Sequence, residues 1–153
     1  MAYFFFGTLM DREVLTTVLD RAVAGDELRR AWLHGYRRVR AASVSYPILV
    51  PAAGLVVGGV VFQPKSARDD VRIRHFEEGE YAEHWSFVRL AGGRRLAARV
   101  FLAFETLQAT EEAWDFSAWA STHKAAFLAQ CHEWMRDCPG GEGEPVAFKR
   151  TTT

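Results

Sequence analysis

The stretch Tyr3-Phe4-Phe5-Phe6-Gly7-Thr8-Leu9-Met10 decides how the chain begins to fold. Four consecutive aromatic residues leave no polar face for water, so the run from Tyr3 to Phe6 predicts a short strand that is buried on both sides. Gly7 then predicts a turn. Asp11 is a suitable N-cap, and apolar residues recur after it at helical spacing, which predicts a helix from about Asp11 to Leu19. The chain therefore opens with a buried strand that leads through a glycine turn into a helix.

The composition fits one globular domain. The chain has 153 residues, of which 49% are hydrophobic and 25% are charged, enough for a single core. We expect a domain over residues 1–138 and a flexible C-terminal tail over residues 139–153, because Pro139-Gly140-Gly141 ends the last predicted helix. Lys and Arg total 19 and Asp and Glu total 19. This balance provides no overall field for nucleic acid or an anionic membrane, so neither is expected as a partner.

The uncharged segment from Ala41 to Pro64 is long enough to suggest a membrane-spanning helix. Prolines and glycines would interrupt such a helix repeatedly: they are Pro47, Pro51, Gly54, Gly58 and Gly59. The valine-rich runs between them instead predict two strands, Ile48 to Val50 and Leu55 to Phe62. Within the second strand, Gly58 and Gly59 predict a bulge or a close approach of another backbone.

The other predicted elements complete an α+β domain. They are one or two strands over Leu28 to Val39 broken at Gly35, a short helix capped by Ser66 and ending near Gly79, a hairpin of Trp85 to Leu90 and Arg95 to Phe104, and a long helix capped by Asp115. The apolar stripe of the long helix includes Phe116, Trp119, Ala120, His123, Phe127, Gln130, Cys131 and Trp134. Strict strand-helix alternation is absent, and the sheet is expected to curl toward a barrel.

Two segments are candidates for chemistry. The turn Phe6-Gly7-Thr8-Leu9 can expose backbone N–H groups that hold a carboxylate or phosphate, although the glycine can equally serve the turn alone. The segment after Phe76 is rich in glutamates, most of which are expected to be solvated. Glu77 adjoins core-facing Phe76, and a carboxyl in apolar surroundings acquires the raised pKa that acid–base catalysis near neutral pH requires.

Histidines and cysteines predict neither a metal site nor a disulfide. The five histidines show no spacing typical of zinc ligands. Cys131 and Cys138 lie on or just past the last predicted helix, and the short apolar stretch from Ala2 to Phe6 does not resemble a signal peptide, because it has no basic region before it. We therefore expect a cytoplasmic protein without a metal and without structural disulfides.

Four segments, taken in order, carry a family resemblance. They are Phe6-Gly7-Thr8-Leu9-Met10, Tyr46-Pro47-Ile48-Leu49-Val50-Pro51, Phe76-Glu77-Glu78-Gly79-Glu80-Tyr81, and the hairpin arm that ends at Ala97-Ala98-Arg99-Val100-Phe101. With the helix from Trp119 to Trp134, they resemble the γ-glutamyl cyclotransferase-like superfamily, in the branch that contains γ-glutamylamine cyclotransferases and plant avirulence-induced proteins. The resemblance extends roughly from Tyr3 to Met135.

The resemblance implies a fold and a reaction. The fold is a small mixed β-barrel with flanking helices and a long C-terminal helix. In the reaction, the α-amine of a γ-glutamyl group attacks its own γ-carbonyl, which releases 5-oxoproline and an amine or amino acid without a metal or organic cofactor. The backbone amides of Gly7, Thr8 and Leu9 would hold the glutamyl group, and Glu77 would act as the catalytic acid and base.

Three aromatic residues complete the substrate-binding set that the resemblance implies. The family's usual loop tyrosine is Phe6 here, so its hydroxyl is missing, whereas the backbone amides are unaffected. Tyr46 and Tyr81 belong either to the pocket or to the core. Two alternatives stay open: a noncatalytic protein that binds a small anion or γ-glutamyl compound, and a pathway enzyme that removes a γ-glutamyl group from a larger amine. The sequence makes no prediction of the oligomeric state.

Overall fold

A computed structural model describes residues 1–139, and the tail predicted for residues 139–153 lies, apart from Pro139, outside the described residues. Six strands form one sheet: β1 (Ala2–Phe5), β2 (Leu28–Ala41), β3 (Pro47–Phe62), β4 (Tyr81–Leu90), β5 (Arg95–Ala103) and β6 (Ala109–Ala113). Their order is β3-β1-β5-β4-β2-β6, and β2 also pairs with β3. Five strands thereby close into a barrel, with β6 added outside it. Because β1 and β5 are parallel and the other pairs antiparallel, the barrel is mixed.

Strand β1 lies between two cores, as its aromatic run predicts. All four of its residues are buried. Phe4 points into the barrel with Leu33 and Val61, whereas Tyr3 and Phe5 pack outside it against the helices. Side chains alternate across a strand, so a buried strand with a core on each side requires apolar residues at every position. The end of β1 is therefore held rigidly where the following turn begins.

Strands β2 and β3 form a long ribbon whose register breaks in the middle. His34 pairs with Val56 but Tyr36 pairs with Pro51, so four residues of β3, 52–55, lie opposite the single residue Gly35 of β2. The predicted separation of Ile48 to Val50 from Leu55 to Phe62 corresponds to this irregularity, although both runs belong to one strand. A Cβ at Gly59 would collide with the carbonyl oxygen of Phe5. This glycine therefore permits the predicted close approach between β3 and β1.

Four α-helices flank the barrel: α1 (Arg12–Leu19), α2 (Ala67–Glu77), α3 (Phe116–Thr122) and α4 (Lys124–Arg136). The predicted caps are all present, because the side chains of Asp11, Ser66 and Asp115 accept hydrogen bonds from the first turns of α1, α2 and α3.

The single long C-terminal helix predicted from Asp115 is wrong, because two helices meet at His123. This residue has φ −116° and ψ −18°, which departs from helical geometry. Just after the break, the ammonium of Lys124 lies 2.8 Å from a carboxylate oxygen of Asp11 and 3.0 Å from one of Glu13. These ion pairs hold the start of α4 against the start of α1. Helix α4 therefore begins separately and does not continue α3.

Strand β6 was not predicted from the sequence, because its residues, Ala-Thr-Glu-Glu-Ala, show no apolar alternation. It is an edge strand that is held by polar contacts. The Thr110 hydroxyl donates to the carbonyl of Arg40, and Arg40 pairs with Glu112 at 2.7 Å. No helix within residues 1–139 has the length and apolar character needed to cross a bilayer.

Candidate active site

One cavity lies where the end of β1 meets α2, the start of β4 and α4. Its volume is about 50 Å³, and its walls are Phe4, Phe5, Phe6, Gly7, Thr8, Leu9, Tyr46, Pro47, Phe76, Glu77, Glu80, Tyr81, Phe101, Phe127 and Trp134. The seven residues that the sequence analysis assigned to catalysis or substrate binding are all in this set. They come from the turn after β1, the start of β3, the end of α2 and the start of β4, so the fold brings together segments that are far apart in sequence.

The turn after β1 lines the cavity and begins with backbone amides that the turn itself does not use. Thr8 to Met10 form one turn of 3-10 helix, in which the amides of Met10 and Asp11 donate to the carbonyls of Gly7 and Thr8. The amides of Gly7, Thr8 and Leu9 precede these bonds and, being at the start of the turn, have no partner within it. Such a group of N–H donors is suited to a carboxylate.

Two contacts hold this turn in place. Arg38 donates from Nη1 to the carbonyl of Phe6 at 2.9 Å and to that of Gly58 at 2.8 Å, and its guanidinium lies over the Trp114 ring. A Cβ on Gly7 would lie only 3.0 Å from the ring of Pro47. Glycine therefore allows the close packing of the turn against Pro47 at the start of β3. The role of Arg38 was not visible in the sequence, where it is one of several arginines in β2.

Glu77, the last residue of α2, places its carboxyl in the cavity wall next to Phe76. Within the described part of the chain, no ion pair or hydrogen bond engages this carboxyl. Burial raises the pKa of Glu77 to about 8, and the nearby Glu80 raises it further in the same direction. The group therefore exchanges a proton near neutral pH, as the sequence analysis expected for a carboxyl beside Phe76.

Both tyrosines lie in the cavity wall and use their hydroxyls in internal hydrogen bonds. The Tyr46 hydroxyl lies 2.6 and 2.8 Å from the two carboxylate oxygens of Glu80. The Tyr81 hydroxyl donates to the carbonyl of Pro47 at 2.9 Å. Burial raises the pKa of both Tyr46 and Tyr81 above the ordinary value, so these hydroxyls stay protonated and act as donors. Tyr46 thereby fixes the position of Glu80 at the cavity.

Helix α4 supplies two cavity residues that the sequence analysis did not assign to the site. Phe127 and Trp134 are seven residues apart and so share one face of the helix. Their rings pack edge to face, with centroids 5.7 Å apart, and each also packs against Phe76. The sequence revealed the apolar stripe that contains both residues, but nothing in it indicated that the stripe would reach Glu77.

Cys131 lies on the same side of α4 and is fully buried. Burial, with a contribution from the charge of Glu77, raises the pKa of this thiol to about 12. The thiolate is therefore scarce at neutral pH, and Cys131 is unsuited to act as a nucleophile. Among residues 1–139, no group of three or more His, Cys, Asp or Glu side chains is arranged to hold a metal ion.

The fold is shared with solved structures of several organisms. A solution structure of an Arabidopsis thaliana protein is 23% identical, with a TM-score of 0.63, and the match covers 84% of this chain and 86% of that one. A structure described as a gamma-glutamyl cyclotransferase is 13% identical, with a TM-score of 0.54, over 96% of this chain and 93% of that one. An uncharacterized Pyrococcus horikoshii protein is 17% identical, with a TM-score of 0.54, over 82% and 97% of the two chains. No curated protein matches the chain significantly.

The sequence itself matches a family model over residues 3–120. This range includes the turn after β1, Tyr46, Glu77 and Tyr81, and it ends before α4 begins. The match spans most of the chain and agrees with the mixed barrel and its flanking helices. The chain belongs to the gamma-glutamyl cyclotransferase, AIG2-like family.

Proposed function

We propose that this protein is a γ-glutamyl cyclotransferase that converts a γ-glutamyl compound into 5-oxoproline and a free amine or amino acid, with Glu77 as the proton-transfer group. The observation that carries the proposal is that Glu77 and the turn residues Gly7, Thr8 and Leu9 line one cavity. A carboxyl that can move protons thus lies in the same small space as N–H donors that can hold a carboxylate.

The substrate would bind with its α-carboxylate on the amides of the turn after β1. Backbone N–H groups at the start of a helical turn favour a negative charge. This placement brings the α-ammonium and the γ-carbonyl of the same glutamyl group into the cavity beside Glu77.

Glu77 would accept a proton from the α-ammonium, whose nitrogen then attacks the γ-carbonyl carbon and closes a five-membered ring. The bond between that carbon and the leaving nitrogen breaks as Glu77 returns the proton to this nitrogen. Over the whole reaction the α-nitrogen loses two protons and the leaving nitrogen gains two. Glu77 therefore acts twice: after the first transfer it takes the second proton from the ring nitrogen and gives it to the released amine, which balances the reaction.

The acidity of Glu77 suits this task. A peptide α-amino group has an ordinary pKa of about 8, and the α-ammonium of a γ-glutamyl compound is more basic because a free carboxylate lies beside it. Burial raises the pKa of Glu77 from 4.5 to about 8, much closer to that of its proton donor. Proton transfer between groups of matched pKa costs little free energy in either direction, which favours a group that first accepts and then donates. The attacking and attacked atoms belong to one molecule, so the remaining task of the protein is to hold it in a folded conformation.

Two alternatives are less well supported by the geometry. A protein that only binds a γ-glutamyl compound has no need of an unpaired carboxyl beside the ligand. An enzyme for a much larger γ-glutamyl amine would require an open cavity, whereas Phe127 and Trp134 of α4 form one wall of this cavity. We infer that the protein acts in the cytoplasm, because both cysteines are free thiols, which is typical of proteins in a reducing compartment.

The test is release of 5-oxoproline from γ-glutamyl amines and γ-glutamyl amino acids. The matching α-glutamyl compounds serve as controls, because their free γ-carboxylate offers no activated carbonyl for ring closure. We expect 5-oxoproline from γ-linked compounds only. If no γ-linked compound yields 5-oxoproline, the proposal is wrong.

A further inference from the structure

The aromatic residues that α4 adds to the cavity extend the proposed function to the identity of the leaving group. Tyr46 and Phe76 together with Phe127 and Trp134 form what we name the aromatic wall. Ring centroids within it lie 6.1 Å apart for Tyr46 and Phe127, and 6.2 Å apart for Phe76 and Phe127. Half of the wall therefore comes from α4, which lies beyond the segment 3–120 that defines the family.

The aromatic wall lies where the leaving group must go. Phe76 is the neighbour of Glu77 in α2, and the leaving nitrogen must reach Glu77 to receive its proton. The α4 side of the wall is also near Glu77, because Phe127 and Trp134 line the same cavity as Glu77. With the glutamyl group on the turn after β1, the substituent on the leaving nitrogen therefore extends along these rings.

The charges in the cavity restrict that substituent further. Of the fifteen residues that line it, only Glu77 and Glu80 have carboxyl side chains, and none is Lys, Arg or His. The free carboxylate of an amino-acid leaving group would therefore meet acidic side chains and no cation, at a high cost in a space with little water.

We propose that the preferred substrates are γ-glutamyl derivatives of arylalkyl amines without a carboxylate, and that Phe127 and Trp134 determine this preference. This inference rests on the proposed cyclotransferase function. Aromatic rings pack favourably edge to face with centroids about 4.5–7 Å apart, and the wall already uses this geometry internally. Trp134 is only partly buried whereas Phe127 is 4% exposed, so Trp134 is the ring that can move to admit the substituent.

The experiment compares kcat/KM for four compounds with one enzyme preparation. They are γ-glutamyl-2-phenylethylamide, γ-glutamylphenylalanine, γ-glutamylmethylamide and 1,4-diaminobutane that carries one γ-glutamyl group. The first two differ only by a carboxylate. We expect kcat/KM for the phenylethylamide to exceed kcat/KM for γ-glutamylphenylalanine by about 100-fold. We expect it to exceed kcat/KM for the methylamide by about 10- to 100-fold, which is the range that burial of an aromatic group provides.

Two variants test the wall itself. Trp134→Ala and Phe127→Leu are expected to lower the ratio of kcat/KM for the phenylethylamide over the methylamide by about tenfold. A ratio within one preparation is independent of the fraction of folded protein, so partial unfolding cannot imitate the result. Trp85→Ala is the matched control, because Trp85 is 62% exposed on β4 and does not line the cavity.

The outcomes separate this inference from the function on which it rests. Turnover of all four compounds at similar rates, or a preference for the diamine or for γ-glutamylphenylalanine, overturns the inference and leaves the cyclotransferase function standing. An unchanged ratio in both wall variants overturns the role of α4. Absence of 5-oxoproline from every compound contradicts the proposed function, and the inference is rejected with it.

Discussion

The two ends of helix α2 hold buried carboxyls in opposite electrostatic states. Near its start, Asp69 is 1% exposed and lies 2.8 Å from the guanidinium of Arg21. At its end, Glu77 lies in a cavity wall beside Phe76 and has no cation to balance it within the described residues. Burial alone raises the pKa of both groups. Hydrogen bonds from Arg21 and the amide of Lys65 outweigh this effect at Asp69, whose pKa lies below the ordinary value.

The difference shows how one helix combines a structural charge with a reactive one. Asp69 connects α2 to Arg21, and Arg21 also binds Glu27. A charge with several partners stays ionised, and its removal leaves the partners buried and uncompensated. Glu77 keeps its carboxyl without such partners, so it can exchange a proton near pH 8. Partners, rather than burial alone, distinguish the two groups.

The largest effect is expected from removing the proton-transfer group. Glu77→Gln keeps the shape of the side chain but cannot carry a proton, and we expect release of 5-oxoproline to fall by about 10²–10⁴-fold. Glu78→Gln is the matched control, because Glu78 is the adjacent residue and is exposed. Equal rates for Glu77→Gln and the parent protein would remove Glu77 from the mechanism.

Loss of the Asp69 carboxyl is expected to lower the stability of the protein and to leave its turnover unchanged. Asp69→Ala leaves Arg21 with Glu27 as its remaining partner, and we expect the free energy of unfolding in urea to fall by about 2–4 kcal/mol. Asp26→Ala makes the same change of charge at an exposed site and is expected to have little effect. At a temperature where both proteins are folded, kcat should stay close to that of the parent. A large loss of kcat with unchanged stability would reverse the roles assigned to the two carboxyls.

The same Glu77→Gln change is expected to stabilise the protein as the pH rises. The pKa of Glu77 is about 8 in the folded protein against an ordinary value of 4.5, so ionisation of Glu77 opposes folding above pH 4.5. The variant should match the parent near pH 4 and gain stability up to pH 8, by about 2–4 kcal/mol. Urea unfolding at several pH values measures this gain, and a difference that does not vary with pH would exclude a buried charge as its source.

The smallest effect is expected from Glu80, whose charge contributes the lesser part of the raised pKa of Glu77. Glu80→Gln should lower the pKa of Glu77, so the rise of kcat/KM with pH should move to lower pH. Glu83→Gln is a suitable control, because Glu83 pairs with Arg74 and does not line the cavity. A profile that stays in place, or moves to higher pH, would contradict the assigned influence of Glu80.

Sequence reasoning identified the parts of the site that depend on neighbouring residues. A buried aromatic strand, a glycine and a helix cap follow one another within Tyr3 to Asp11, so the turn could be located from local patterns. Glu77 could be singled out because it adjoins Phe76 in the chain. The paired hairpin of β4 and β5 was likewise visible from its alternation around Gly92 and Gly93.

The features that the sequence did not reveal depend on distant contacts. The break at His123 and the ion pairs of Lys124 decide where α4 lies, and they join residues more than a hundred positions apart. For this reason, the stripe containing Phe127 was recognisable as apolar but its position at the cavity was not. Strand β6 was hidden because an exposed edge strand can be polar at every position. Arg38 was indistinguishable from the other arginines of β2 before the position of Phe6 was known.

The comparison between Asp69 and Glu77 is tested most directly by NMR titration of the side-chain carboxyl carbons of both residues in one sample. The account predicts that Glu77 titrates near pH 8 and that Asp69 titrates below the ordinary range of aspartate. The Glu77→Gln variant assigns the first signal by its absence. Titration of Glu77 near pH 4.5, its ordinary value, would contradict the account, because a carboxyl already ionised at that pH would be poorly matched to the proton it has to carry.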